Sequence, residues 1–175
     1  MSFVRTTVAR VGRENQLYNS ETGARVVAGC VVLNQDKSKV LLISSTGHKK
    51  KWVIPKGGVE LDEPDYKDSA TRETWEEAGV TGKIVKSLGV IDDLRPPKEW
   101  NTNKEEFMNS EILKHPPRSE FHFFEMIVEK EYDTFPESHK RQRRWVTYQE
   151  AIDELKSIKR LELVEAIERS SVARS

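Results

Sequence analysis

Three carboxylates recur at helical spacing near the middle of this chain: Glu73, Glu76 and Glu77 stand at i, i+3 and i+4. On a helix these side chains share one face on adjacent turns. Uncompensated, each such like-charge pair costs roughly 0.2–0.5 kcal/mol. A hard divalent cation relieves that cost, because Mg2+ takes oxygen ligands and keeps waters and substrate phosphates in its shell. Upstream lies Gly57-Gly58-Val59-Glu60-Leu61-Asp62-Glu63, whose glycines permit close backbone approach. Arg72 precedes the first of the three glutamates, and Gly79 follows the last. A glutamate-rich turn alone reads as a solvated helix face. Glycine loop, Arg–Glu pair and terminal glycine together point to a metal-assisted site.

The elements that position these residues follow from local pattern. Ala24–Leu33 is β-branched and apolar and reads as a buried strand. Val40–Ser44 is a second strand, Ser45–Lys51 a basic loop, and Trp52–Ile54 a short strand that enters a tight turn at Pro55–Gly58. The helix is expected over Asp65–Ala78, with Pro64 at its start and Gly79 as its C-terminal cap. Ala70, Thr74 and Tyr66 should face inward while the glutamates face a cleft, and Trp75 should pack. Strands are expected at Ile84–Ile91, Glu120–Val128 and Trp145–Val146. Thr147-Tyr148-Gln149-Glu150 has the form of a capping box and opens a helix to about Ile158, with a second helical piece over Arg160–Arg169. Residues 1–24 read as a polar N-terminal extension, 25–170 as the domain, 96–118 as a proline-flanked inserted loop, and 171–175 as a fraying tail. Mixed strands with a central and a C-terminal helix make an α+β domain.

The 175 residues suit one domain with a real core. No run of about 18 apolar residues is present, so no transmembrane helix is expected. Met1–Arg13 lacks the apolar stretch of a secretory signal. The single cysteine, Cys30, sits in an apolar run and should be a buried thiol, which favours a reducing, cytoplasmic setting, with the nucleus as a further location. Lys and Arg balance Asp and Glu at 29 each. The charge is nonetheless clustered: Ser138–Arg144 and His48–Lys51 are basic, whereas Glu60–Glu77 and Glu99–Glu111 are acidic. Such a balance suits a compact polyanion better than extended nucleic acid, so neither a nucleic-acid nor a membrane partner is expected.

The central segment resembles the Nudix box, G-x5-E-x7-R-E-U-x-E-E-x-G-U with U aliphatic. Gly57 to Glu63 matches its first half, and Arg72, Glu73, Glu76, Glu77, Gly79 and Val80 match the second. One extra residue lies between Glu63 and Arg72, around Pro64–Asp65, and Thr74 occupies an aliphatic position. The resemblance implies an α/β/α sandwich with a mixed central sheet, and hydrolysis of a diphosphate linked to another group. It implies Glu73 and Glu77 as metal ligands, joined by the backbone carbonyl at Lys56 or Gly57. Glu76 is then the general base, a role Glu73 takes in some relatives. Arg72 orients the glutamates. Mg2+ is the expected ion, with Mn2+ as a substitute.

From Arg13 to about Leu163 the chain resembles the diphosphoinositol polyphosphate phosphohydrolases, which also cleave diadenosine polyphosphates. The resemblance rests on Ala28-Gly29-Cys30, Trp52-Val53-Ile54-Pro55, the box, and Lys140-Arg141 before Trp145. Gly12-Arg13-Glu14-Asn15-Gln16 and the long insertion look most like the fungal members. It implies inositol pyrophosphates and diadenosine polyphosphates as substrates, with inorganic polyphosphate a third. A substrate with phosphates around a ring needs cations from several segments. The candidates are Arg13, Arg25, Lys56, Arg118, Arg141 and Lys159, with Ser45, Thr46 and Gly47 as donors from a loop. The competing readings are a decapping or nucleotide-sugar hydrolase and a noncatalytic polyphosphate-binding module.

Overall fold

The strand β1 (Arg25–Leu33) is buried from Val26 onward, which its run of valines and small residues allows and which covering on both faces requires. In this computed structural model, whose described residues are 5–7, 9, 15–93, 95 and 118–175, β1 is the centre of a mixed sheet. The further elements are β2 (Val40–Ser45), β3 (His48–Val53), β4 (Lys56–Gly58), α1 (Tyr66–Ala78), β5 (Val80–Asp93), β6 (Ser119–Glu131), β7 (Arg143–Val146), α2 (Tyr148–Ser157) and α3 (Leu161–Arg169). The strand order is β3-β2-β1-β6-β5, with β4 paired to β1 and β7 to β2. β1 and β6 run parallel, in register from Arg25 opposite Ser119 to Leu33 opposite Ile127. Every other pairing between these strands is antiparallel.

Helices cover the sheet. α1 lies on β1, where the Cys30 thiol points at the Ala70 carbonyl, 3.7 Å away. α2 starts with the expected capping box: Thr147 Oγ1 accepts from the Glu150 amide and the Glu150 carboxylate accepts from the Thr147 amide. α3 runs along β5, and Arg169 at its C-terminal end donates to the carbonyls of Leu88 and Val90. The core is formed by the β1, β2 and β6 side chains with Ala70, Leu155, Leu163 and Ile167.

Three local expectations change. The basic loop expected at Ser45–Lys51 is a turn at Thr46–Gly47, and β3 begins already at His48. β3 is an edge strand, where lysines are tolerated and even protective, so its polarity hides it. The tight turn at Pro55–Gly58 contains β4, which pairs with β1 through Val27, Ala28 and Gly29. Gly29 makes this approach possible, since a Cβ there would stand 2.4 Å from the Pro55 carbonyl oxygen. The tail does not fray. The Ser171 amide donates to the fully buried Glu125 carboxylate at 2.6 Å, Val172 is buried, and the Ala173 amide donates to the Lys37 carbonyl.

Before β1, the chain from Asn15 to Gly23 is tied to its neighbours. Gln16 bridges to Glu60 and Tyr18 to Arg25, and Gly23 makes the expected turn at φ 76°. Arg13 lies outside the described residues, as does the inserted loop expected at 96–118 apart from Arg118.

Candidate active site

α1 is held at both ends by local chemistry. Asp65 at its N-cap accepts from the Lys67 amide at 2.9 Å. Gly79 closes it in the left-handed region at φ 65°, its amide donating to the Trp75 carbonyl. A side chain at Gly79 would also meet the Phe135 ring at 2.2 Å, so the position is closed to other residues twice over. Ala70 and Thr74 are fully buried and Tyr66 packs on the core, as expected. Trp75 packs against Tyr132, edge to face at 5.2 Å, and its indole N–H donates to the Thr6 carbonyl.

Arg72 is the hub of the acidic face. Its Nε and Nη2 donate to the two oxygens of Glu63 at 2.8 and 3.0 Å. Its Nη1 donates to Glu73 at 2.7 Å and to Glu76 at 3.2 Å, and Nη2 also reaches the Gly58 carbonyl at 2.9 Å. One guanidinium thus holds three carboxylates and the glycine strand together. Glu63 is anchored in turn by the Ser69 hydroxyl at 2.7 Å and the Glu60 amide at 3.0 Å. The extra residue before Arg72 therefore does not disturb the pair, because the Pro64–Asp65 bend absorbs it ahead of the first helical turn.

β4 brings the glycines onto this face. A Cβ on Gly57 would lie 2.1–2.3 Å from the carboxyl atoms of Glu73, so only glycine lets the strand press against that carboxylate. The Lys56 amide donates to Glu77 Oε1 at 3.1 Å. The other Glu77 oxygen faces Arg141 Nη2 at 3.3 Å. Arg141 also donates to Glu137 at 2.8 Å and to the Ser44 carbonyl at 2.9 Å, so it clamps Glu77 between two other segments.

Burial sets the protonation of this cluster. It pushes Glu73 up, against the pull of Arg72. It pushes Glu77 up to about 8, with the nearby Glu73 charge adding to the rise and Arg141 opposing it. Lys56 is pulled down to about 8, first by burial and then by the charge of Arg160. Burial raises Glu63 as well, but the hydrogen bonds from Arg72 and Ser69 outweigh it and hold the carboxyl below its ordinary range.

The donor chemistry fits a hard divalent cation. Glu73, Glu76 and Glu77 are oxygen donors on one helix face, and the space that a Cβ of Gly57 would fill leaves the β4 backbone against Glu73. Among the described residues, no three carboxylates are arranged to hold an ion by themselves, and one oxygen each of Glu73, Glu76 and Glu77 is engaged by Arg72 or Arg141.

The expected phosphate-binding residues divide. Arg25 and Arg141 lie near enough to Lys56 to depress it, so these three cations converge. Ser45 is half-buried at the turn after β2, with its hydroxyl accepting from the Gly47 amide at 3.3 Å, and Thr46 and Gly47 are exposed beside it. Arg118 adjoins Arg25, whose amide donates to the Arg118 carbonyl. Lys159 is exposed, in a turn at φ 58°. Two residues of the cluster were missed from the sequence. Arg160 carries the strongest charge influence on Lys56, and its only signal was adjacency to Lys159. Glu137 carries Arg141, and the i, i+4 spacing of the two was the available clue.

A mixed sheet with a glutamate helix set against a glycine strand defines a class, and the comparisons agree on it. The NUDIX domain model matches residues 23–166, and the chain belongs to the Nudix family. It is 38% identical over 151 residues to Nudix hydrolase 21, chloroplastic, of Arabidopsis thaliana, covering 83% of this chain and 67% of that one. It is 36% identical over 86 residues to diphosphoinositol polyphosphate phosphohydrolase 3-alpha of Homo sapiens, a match to 49% of this chain and 51% of that one. The fold is similar to that of a NUDIX hydrolase from Nitrosomonas europaea, at a TM-score of 0.61 and 15% identity over 83% of this chain and 87% of that one. The chain is thus a Nudix hydrolase, a group that generally uses divalent metals such as Mg2+. Among the described residues, no helix is long and apolar enough to cross a membrane.

Proposed function

We propose that this hydrolase cleaves phosphoanhydride bonds in diphosphoinositol polyphosphates and diadenosine polyphosphates, with inorganic polyphosphate as a third substrate. The observation that carries the reading is Lys56. Its ammonium makes no hydrogen bond and no ion pair with any described residue, yet Arg25, Arg141 and Arg160 all bear on it. Glu77 offsets part of that repulsion, and a desolvated cation among three guanidinium charges and one carboxylate is a place for a polyanion. The partial likeness to a diphosphoinositol polyphosphate phosphohydrolase supports the same substrate class.

In this reading Glu73, Glu77 and the backbone carbonyl at Lys56 or Gly57 hold Mg2+, or Mn2+ in its place. The ion, when bound, neutralises phosphate charge and acidifies a coordinated water. Glu76 takes the proton of the attacking water, and Glu73 is the alternative carrier of that role. Arg72 fixes the directions of both. Lys56 and Arg25 receive phosphates, and Arg141 does so by exchanging its Glu77 partner. Arg13, Arg118, Lys159 and the Ser45-Thr46-Gly47 turn complete the ring of donors. Phosphate is bound this way because charge-assisted contacts are about twice as strong as neutral ones. The single thiol, Cys30, is fully buried, and its free state suits a cytoplasmic or nuclear enzyme.

The test is phosphate release, with Mg2+, from a diphosphoinositol pentakisphosphate and from diadenosine hexaphosphate. Wild type should turn over both, and Glu76→Gln should lose at least ~100-fold with its melting temperature retained, a loss of the size general-base catalysis supplies. Faster cleavage of capped RNA or a nucleotide sugar than of either compound would overturn the substrate class. Undiminished turnover in Glu76→Gln would remove Glu76 as the base.

A further inference from the structure

Glu137 lies outside the glutamate helix, in the turn between β6 and β7, and reaches the site from there. Its amide donates to the Glu76 carbonyl at 3.0 Å. The same stretch of chain is tied to the C-terminal end of α1 twice more. The Tyr132 amide donates to the Gly79 carbonyl, and Arg143 Nη1 donates to the Ala78 carbonyl at 3.0 Å. None of these contacts uses the Glu137 side chain, so the backbone stays placed when that side chain is changed.

The carboxylate decides how Arg141 spends its nitrogens. Arg141 Nε donates to Glu137 at 2.8 Å, Nη1 to the Ser44 carbonyl at 2.9 Å, and Nη2 faces Glu77 at 3.3 Å. Arg141 is 9% exposed and the two carboxylates 12% each, so water screens these charges little. Nε and Nη2 form one fork of the guanidinium, the pair of donors that fits a single carboxylate. Arg72 closes that same fork on both oxygens of Glu63, at 2.8 and 3.0 Å. On Arg141 the fork is split between Glu137 and Glu77, and the Glu77 contact is the longest of its three. A guanidinium anchored at Nε and Nη1 cannot turn to grip Glu77 with two nitrogens.

We propose that Glu137 is a positioning residue of this site: by holding Arg141 Nε it keeps the guanidinium from closing its fork on Glu77, and so leaves Glu77 within reach of a divalent cation. The proposal rests on the reading of Glu77 as a metal ligand. Nη2 is then the nitrogen released when Glu77 turns away, and the anchors at Nε and Nη1 keep it at the cleft for a phosphate. Without Glu137, Arg141 is free to settle on Glu77 as Arg72 settles on Glu63, and competes with the ion for it.

Glu137 also adds a negative charge near the site, and the experiment must separate that effect from the one through Arg141. Binding of Mn2+ to the full chain without substrate, read by electron paramagnetic resonance of the free ion, is measured in wild type, Glu137→Ala, Arg141→Ala and the double variant. A charge effect alone weakens Mn2+ by the same factor in both backgrounds. Capture of Glu77 by Arg141 adds to it only where Arg141 is present, so Glu137→Ala should weaken Mn2+ at least about threefold more in the wild-type background than in Arg141→Ala, the size of coupling expected between residues in contact. Glu137→Gln, which still accepts from Nε, should fall between wild type and Glu137→Ala. Equal factors in the two backgrounds, or a lowered melting temperature with Mn2+ affinity unchanged, overturn the proposal. Mn2+ affinity unaltered by Glu77→Gln overturns the metal-ligand reading, and the proposal with it.

Discussion

Replacing Arg72 by glutamine removes a buried charge that serves three carboxylates at once. The wild-type guanidinium is 8% exposed and donates to Glu63, Glu73, Glu76 and the Gly58 carbonyl. Glutamine keeps some of the volume but loses the charge and most of the donors. Breaking a buried ion pair by deleting one partner costs about 3–5 kcal/mol, because the orphaned charge stays in the protein. For a chain of this length that lowers Tm by roughly 6–20 °C. The defect has a pH signature. Arg72 helps hold the folded-state Glu63 pKa below its ordinary value of 4.5. That contribution is fully present above 4.5 and is lost as pH falls through the depressed folded value. In the variant the carboxylates lose the cation and protonate more readily, so the gap between wild type and variant should be widest near neutral pH and shrink below about pH 4.5. Urea unfolding at several pH values measures it. Mg2+ should narrow the gap at pH 7, since it supplies positive charge to the same oxygens. A stability loss under about 1 kcal/mol at pH 7, or a gap that widens on acidification, would refute Arg72 as the keystone of the acidic face.

Two further outcomes follow from the same geometry. Gly57→Ala sets a Cβ 2.1–2.3 Å from the Glu73 carboxyl, so β4 or that carboxylate must shift; turnover should fall at least ~100-fold, as a displacement near 1 Å can cost, while the fold survives by circular dichroism, and near-normal turnover would show that the close approach is dispensable. Glu77 is held up to about 8 in the metal-free protein, chiefly by burial. A metal ligand must be deprotonated, so apparent Mg2+ affinity should climb as pH rises through about 8 and level off above it, with proton release on binding; calorimetry in two buffers of different ionisation enthalpy measures this, and affinity independent of pH would exclude Glu77 from the ion.

What the sequence disclosed was governed by short-range chemistry. Gly79 closed α1 and Thr147 with Glu150 opened α2, because caps are contacts within a few residues; the start of α1, read as Pro64 with Asp65 already helical, is instead Asp65 acting as the cap before Tyr66. The grouping of Glu73, Glu76 and Glu77 is a property of helical period alone. What stayed hidden depends on partners far along the chain. β4 reads as a glycine turn until Gly29 makes room for it. The edge strand β3 carries lysines where an interior strand would carry valines. Arg141 looks from the sequence like an unengaged cation, and in the fold it is already committed to Glu77, Glu137 and Ser44. Arg160 was passed over for Lys159, one residue away, because the turn that sends one side chain outward and the other inward is not written in residue type.

The parallel pairing of β1 with β6 sets the order in which this protein can form. Arg25 finds its partner at Ser119 and Leu33 finds its at Ile127, with the box, β5 and the inserted segment in between. The centre of the sheet is therefore closed by contacts of long sequence separation, which slows folding towards the millisecond-to-second range. During synthesis the apolar strand β1 leaves the ribosome well before β6, and in that interval its Val- and Leu-rich edge is open to any other strand. The hairpin of β1 with β2 and the clip of β4 on β1 are the local pairings available first. The parallel pairing that closes the centre of the sheet becomes possible only once β6, to Glu131, has emerged.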